Sequence, residues 1–207
     1  MSENTSDLRY VQATRYWKLG IGRELGIDLF EKYLAAIPPV PADIFLSDKN
    51  FPMVVLVEPR VGLARLCKLG DIRFFDGDDE TFEPFDARHA EFVQPTWIRA
   101  QSGWRNRNLA IATCRSTFKA CELGLSALQG VCMYLQQENV VLEATEEDGG
   151  HLADLPGSLH CRERDRAPFL EVRSKQAWLS RRCVTEVYKY CGSASRKAET
   201  ASVTLTT

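Results

Sequence analysis

Residues 102–142 read SGWRNRNLAIATCRSTFKACELGLSALQGVCMYLQQENVVL and carry the clearest structural signals in this chain. Ser126 is followed three residues later by Gln129, which is the Ser-x-x-Gln pattern of a helix capping box. Apolar side chains then recur at the spacing of one buried helical face, at Leu128, Val131, Cys132 and Leu135. The pattern predicts a helix that begins after Ser126 and packs one side into the core.

A second helix is predicted just before this one, from Leu109 or Ile111 to about Leu123. Gly124 suits the left-handed residue at which a helix stops. Apolar side chains again share one face, at Ile111, Cys114, Phe118 and Cys121. We therefore expect a central helical pair.

The turn before this pair carries the candidate site, Trp104-Arg105-Asn106-Arg107-Asn108. Asn106 or Asn108 can cap the helix that follows, and we assign that role first to Asn108. An aromatic ring beside two guanidinium groups can stack a ligand ring and bind a phosphate or carboxylate. Ser158 and Arg196 are further residues that could close around such a ligand.

Two interpretations of the two arginines stay open. Free N–H groups and the helix dipole favour an anion at a helix start, so Arg105 and Arg107 could form an anion site there. Alternatively, both arginines pair with carboxylates of the protein and the asparagines only cap. The second situation is the commoner one in proteins, yet this turn remains the most site-like group of residues in the sequence.

The rest of the chain predicts an α+β fold. N-terminal helices precede a small mixed or antiparallel sheet, which packs on the central helical pair. Paired strands are predicted at 169–173 and 177–180. We expect residues 1–7 to be disordered and residues 8–191 to form a single domain, with 8–41 as its helical N-terminal portion. Composition predicts a mostly mobile tail at 192–207, which is rich in Ser and Thr.

Composition excludes several classes of protein. The chain has 26 Lys and Arg against 28 Asp and Glu, a net charge of −2, which argues against general nucleic-acid binding. No apolar run is long enough to span a bilayer, and the N-terminus does not resemble a signal peptide, so we expect a cytoplasmic protein without membrane contact. The seven cysteines include no Cys-x-x-Cys pair, and we expect no disulfide framework, metal or cofactor.

Six segments together resemble a family of small bacterial proteins of unknown function. The resemblance covers roughly residues 8 to 196 and implies one structural unit, with Gly192–Arg196 ordered, contrary to the composition. It implies no activity. The segments that carry it are Leu19-Gly20, Val54–Val57, Arg105–Arg107, Leu125–Gly130, Leu155–Ser158 and Gly192–Arg196.

Two functions from different classes follow from these residues. The first is a non-enzymatic binding or interaction protein, in which residues 104–108 contact a partner protein or a small anion. The second is an enzyme on a small anionic substrate, with Arg105 and Arg107 as binding residues and His151 or His160 as general base. The sequence favours the first, because no nucleophile, phosphate-loop or zinc motif accompanies the histidines.

Overall fold

A computed structural model of the protein describes residues 3–45, 48–75, 77–137, 139–143 and 150–198, with side chains from Leu8 onward except that of Phe45. The α+β class is confirmed. Among the described residues, no helix combines the length and apolar character needed to cross a bilayer. The helices are α1 (Glu3–Lys18), α2 (Ile21–Glu24), α3 (Phe30–Ala35), α4 (Leu63–Leu69), α5 (Ile111–Thr117) and α6 (Ala127–Gln136).

The described strands form three sheets, where the sequence predicted one small sheet. The first has the order β1-β4-β11-β5, the second β10-β6-β8-β9-β2, and the third pairs β3 with β7. Their bounds are β1 (Met53–Val57), β2 (Ile72–Phe74), β3 (Phe82–Pro84), β4 (Thr96–Gln101), β5 (Glu122–Gly124), β6 (Leu152–Asp154), β7 (Ser158–His160), β8 (Arg166–Arg173), β9 (Gln176–Cys183), β10 (Cys191–Ser193) and β11 (Ser195–Lys197). The predicted pair of strands around 174–176 is the β8–β9 hairpin.

The capping box of α6 is present as predicted. The hydroxyl of Ser126 accepts from the backbone N–H of Gln129 at 3.2 Å, and the N–H of Ser126 donates to the Gln129 side chain at 3.4 Å. Val131 and Cys132 are fully buried. The apolar face of α6 packs against β1, α4 and α1, which places this helix at the centre of the core.

The other helix of the predicted pair is shorter than expected. Helix α5 ends at Thr117, and residues 122–124 form β5 instead of its last turn. Strand β11 explains the difference, because Arg196 pairs with Leu123 and Lys197 with Glu122. Hydrogen bonds to a strand distant in sequence replace those of the predicted helix, so tertiary pairing overrides the local pattern. Helix α5 packs against β10.

Residues 191–197 are strands, where composition predicted a tail from residue 192. Strand β10 pairs in parallel with β6 in the second sheet, and β11 lies between β4 and β5 in the first. The chain passes from one sheet to the other at Ala194, which is fully buried. At the other end, the backbone of residues 3–7 belongs to α1, within the segment predicted to be disordered. Residues 199–207 lie outside the described residues.

A contact between two glycines joins β10 to the turn that follows β4. A Cβ atom on either Gly103 or Gly192 would lie far inside van der Waals contact with the carbonyl oxygen of the other. Gly103 also has a positive φ of 103°, which glycine adopts without strain. The buried side chain of Gln101 ties the same region together, because it accepts from the N–H of Gly103 at 2.6 Å and donates to the carbonyl of Ser193 at 3.0 Å.

We predict that Gly192→Ala lowers the free energy of unfolding by about 3 kcal/mol or more, because the obstructing atoms are backbone and cannot rotate away. Ser193→Ala, at the next position of the same strand, is the matched control. It removes a buried hydroxyl whose contact is the weakly hydrogen-bonding thiol of Cys114, so we expect a change below about 1 kcal/mol. Urea denaturation measures both. Equal stability of the two variants would contradict the glycine contact.

Candidate functional site at the Trp104 turn

The asparagines of the predicted site fasten the turn to β10 and do not cap α5. Helix α5 has Ala110 at its N-cap position, with no side-chain hydrogen bond, so the capping role predicted for Asn106 or Asn108 is wrong. The Asn106 side chain donates to the carbonyl of Ser193 at 2.8 Å. The Asn108 side chain accepts from the N–H of Tyr190 at 3.2 Å. These bonds exist only because β10 passes beside the turn, which local sequence does not reveal.

Trp104 rests on a buried histidine and is half exposed. Its indole stacks on the imidazole of His151, with ring centroids 4.4 Å apart and planes 16° apart. The guanidinium of Arg107 lies 4.3 Å from the indole centroid and 5.6 Å from that of Tyr190. Arg107 also donates to the carbonyl of Gly150 at 3.1 Å. Because an imidazole and a guanidinium already contact the indole, less of the ring remains for stacking a ligand.

Arg105 is paired with a carboxylate of the protein at the surface. Its guanidinium forms an ion pair with Glu122 of β5 and donates to the Asn50 side chain at 3.2 Å. It also lies 5.6 Å from the ring centroid of Phe51. The interpretation of two unneutralised arginines at this turn is therefore wrong for Arg105, so an anion site there cannot be built on both guanidinium groups.

His151 is the histidine that lies beside the turn, but it is inaccessible. The side chain is fully buried, and Nε2 donates to the carbonyl of Ser102 at 2.8 Å. Burial lowers the pKa of His151 to about 4, and the nearby charge of Arg107 acts in the same direction. A neutral, enclosed imidazole supports the indole above it, and solvent cannot reach it as a general base.

The other residues considered for the site lie elsewhere. His160 is on β7, and its Nδ1 accepts from the backbone N–H of Glu163 at 3.0 Å. His89 contacts Asp86 through Nδ1 at 2.7 Å. Ser158 accepts from the N–H of Ala127 at the start of α6, and the guanidinium of Arg196 lies 5.2 Å from the ring centroid of Phe92. Within the described residues, no three His, Cys, Asp or Glu side chains are arranged to hold a metal ion.

The structure adds residues that the sequence analysis missed. Residues 184–191 run beside the turn, since Val184 accepts from the N–H of Ala112 and Cys191 accepts from that of Asn108. This segment carries the exposed side chains of Val187 and Tyr188. We name the combined surface the aromatic face and define it as Trp104, Arg107, Leu109, Val187, Tyr188 and Tyr190.

A buried ion pair supports the aromatic face from below. Arg182 of β9 pairs with Asp154 of β6, and both side chains are almost completely buried. Burial raises the pKa of Asp154 to about 6, against the opposing effect of Arg182. The guanidinium of Arg182 lies 4.5 Å from the ring centroid of Tyr188, whose hydroxyl donates to Glu186. The ion pair therefore positions Tyr188 relative to the sheet.

Comparison of the chain with protein-family models, with curated proteins and with solved structures gave no match. The site is therefore interpreted from its own geometry.

The burial of His151 predicts a specific pH dependence of stability. The folded-state pKa of about 4 lies below the usual value of 6.5, so the contribution of neutral His151 is complete above pH 6.5 and is lost as the pH falls toward 4. That loss amounts to about 3 kcal/mol, at 1.36 kcal/mol per pKa unit. Asp154 titrates in the same range with the opposite sign, because its folded-state pKa is raised.

Comparison with His151→Gln isolates the histidine, because Asp154 is common to both proteins. We expect the difference in unfolding free energy between the wild type and the variant to shrink by about 3 kcal/mol between pH 7.5 and pH 4. Urea titrations at several pH values measure it, and NMR titration of the imidazole gives the pKa directly. A difference that stays constant with pH would show that His151 ionises normally.

Proposed function

We propose that this protein binds another protein through the aromatic face and does not catalyse a reaction. The observation that carries the proposal is the exposure of large apolar side chains on two adjacent segments. Trp104 is 46% exposed, Leu109 40%, Val187 61% and Tyr188 36%. Exposed apolar side chains on neighbouring segments are a feature of interaction sites on proteins.

The composition of the face supports protein binding. Trp, Tyr and Arg are the residues that contribute most of the binding energy in protein interfaces. Trp104 is held by the stack on His151, and Tyr188 by the contact with Arg182. Side chains that are already ordered lose little conformational entropy on binding, so more of their contact energy appears as affinity.

The charges on the face indicate the chemistry of the partner. Arg107 contacts the rings of Trp104 and Tyr190, and the ammonium of Lys189 lies 4.6 Å from the centroid of Tyr190. We infer a partner that presents an apolar side chain to these rings, since the Glu186 carboxylate beside Tyr188 offsets part of the positive charge of the face. A small free anion at this turn is less well supported, because the charge of Arg105 is matched by Glu122.

Two further observations bear on the proposal. The enzymatic alternative requires a substrate to reach His151 or His160. Burial of the His151 imidazole beneath Trp104 argues against the first, and His160 is also buried, with its Nδ1 bonded to the backbone N–H of Glu163. All seven cysteines are free thiols, which supports a location in the reducing cytoplasm.

The test uses a photoreactive phenylalanine analogue at position 187 of the full-length protein in its native host. We expect position 187 to crosslink a partner that is not crosslinked from position 93, where Val93 is 81% exposed outside the face. Trp104→Ala should abolish the crosslink, and Val93→Ala should leave it unchanged. The same set of proteins crosslinked from both positions, or crosslinking that is insensitive to Trp104→Ala, would refute the proposal.

The Kd measured with the purified partner shows how much Trp104 contributes to binding. We expect Trp104→Ala to weaken the Kd about 30-fold, which corresponds to about 2 kcal/mol for a central interface residue. Val93→Ala should change it less than about 2-fold. Circular dichroism of both variants establishes that each is folded.

A further inference from the structure

A cavity on the first sheet combines an apolar wall with two cationic side chains. It has a volume of about 280 Å³, and its lining includes Pro41, Asp43, Ile44, Trp97, Arg99 and Lys197. Ile44 and Trp97 are more than nine-tenths buried, so the wall is part of the core. The indole N–H of Trp97 donates to the carbonyl of Pro38 at 2.9 Å, which fixes the ring in place.

Strand pairing places the two cations side by side. Trp97 and Arg99 are two residues apart on β4 and therefore project from the same face of the sheet. Arg196 pairs with Ala100, so the next residue, Lys197, lies across from Arg99 in the antiparallel pair. Like charges in facing positions repel each other, and Glu122, which pairs with Lys197 on the other side of β11, offsets part of this repulsion.

Within 4 Å of these two cations, the described residues supply one carboxylate. Asp48 lies 3.8 Å from the Arg99 guanidinium and 3.5 Å from the Lys197 ammonium, so one carboxylate is shared between two cations. Burial acts to raise the pKa of Asp48, but the N–H of Asn50 and the two cations outweigh it and the pKa is lowered. At 3.8 Å the guanidinium of Arg99 is beyond hydrogen-bond distance of Asp48.

Arg99 retains hydrogen-bonding capacity in a largely buried position on the cavity wall. Its side chain is only 10% exposed, and its buried Nε has no hydrogen-bond partner among the residues that the structure describes. A buried guanidinium without full hydrogen bonding is costly, and a carboxylate, which accepts two parallel N–H bonds from arginine, would relieve that cost. The guanidinium of Arg99 and a ligand carboxylate are thus complementary in both charge and geometry.

We propose that this cavity binds a small monocarboxylate with an apolar body, with its carboxylate between Arg99 and Lys197 and its body against Trp97 and Ile44. The negative charges of Asp48 and of Asp43 on the cavity lining disfavour a second negative charge on the ligand, which selects monoanions over phosphates. The volume lies at the lower end of small-molecule sites, which limits the ligand to a small organic acid. The inference does not depend on the aromatic face.

Phenylacetate is the probe, with phenylacetamide as the uncharged molecule of matched shape and 2-phenylethylamine as the matched cation. We expect isothermal titration calorimetry on the full chain to give a Kd of about 1 mM or tighter for phenylacetate and at least about 10-fold weaker binding of the other two compounds. Phenylacetate should also shift the indole N–H resonance of Trp97. Equal binding of phenylacetate and phenylacetamide, or no binding of either, overturns the proposal.

Variants locate the site. Arg99→Met and Lys197→Met should each weaken phenylacetate binding at least about 10-fold, and Asp48→Asn should tighten it, because the competing carboxylate is removed. Lys197 is 51% exposed, so its variant is expected to fold even where Arg99→Met does not. Arg164→Met, at an arginine that is 68% exposed and paired with Glu83, is the control and should leave the Kd unchanged. Unchanged affinity in the Lys197 and Asp48 variants would place the probe elsewhere and refute the assignment.

Discussion

The close approach of two backbones, at Gly103 and Gly192, is the constraint on which the rest of this structure depends. With a side chain on either residue, β10 could not lie against the turn that follows β4. Because it does, the carbonyl of Ser193 accepts from Asn106 and the N–H of Tyr190 donates to Asn108. Residues 104–108 and 187–193, which are far apart in sequence, thereby form one surface. The backbone beneath its exposed residues is held by hydrogen bonds to the second sheet.

Arginines organise the surroundings of this surface in three physically different ways. Arg105 forms an ion pair with Glu122, which connects the turn to β5. Arg107 lies against aromatic rings, where a guanidinium is attracted by the π-electrons while remaining hydrogen-bonded. Arg182 is buried with Asp154 and holds Tyr188 from the interior. The net charge of the chain does not show these three roles, because each role depends on which carboxylate or aromatic ring the guanidinium contacts.

Sequence analysis succeeded where the information was local. The capping box and the apolar spacing of α6 lie within ten residues of each other, and both are present in the structure. It failed where a distant strand intervened, as in the early end of α5, which pairing with β11 causes. Trp104 was identified because its aromatic ring lies beside two arginines in the sequence, a combination that can bind a ligand ring and an anion. Its support by His151 and the neighbouring position of Arg99 and Lys197 depend on contacts between residues far apart in the chain, which no local pattern encodes.

The passage of residues 191–197 from one sheet to the other has a mechanical consequence. Tension applied at the C-terminal end of β11 would act along the strand, so the hydrogen bonds on both of its sides would have to shear together and not open one after another. Once β11 slides, Ala194 transmits the load to β10 and thus to the second sheet. A force that pulls on the C-terminal end of β11 must therefore break the pairing of β11 in the first sheet and then the pairing of β10 in the second.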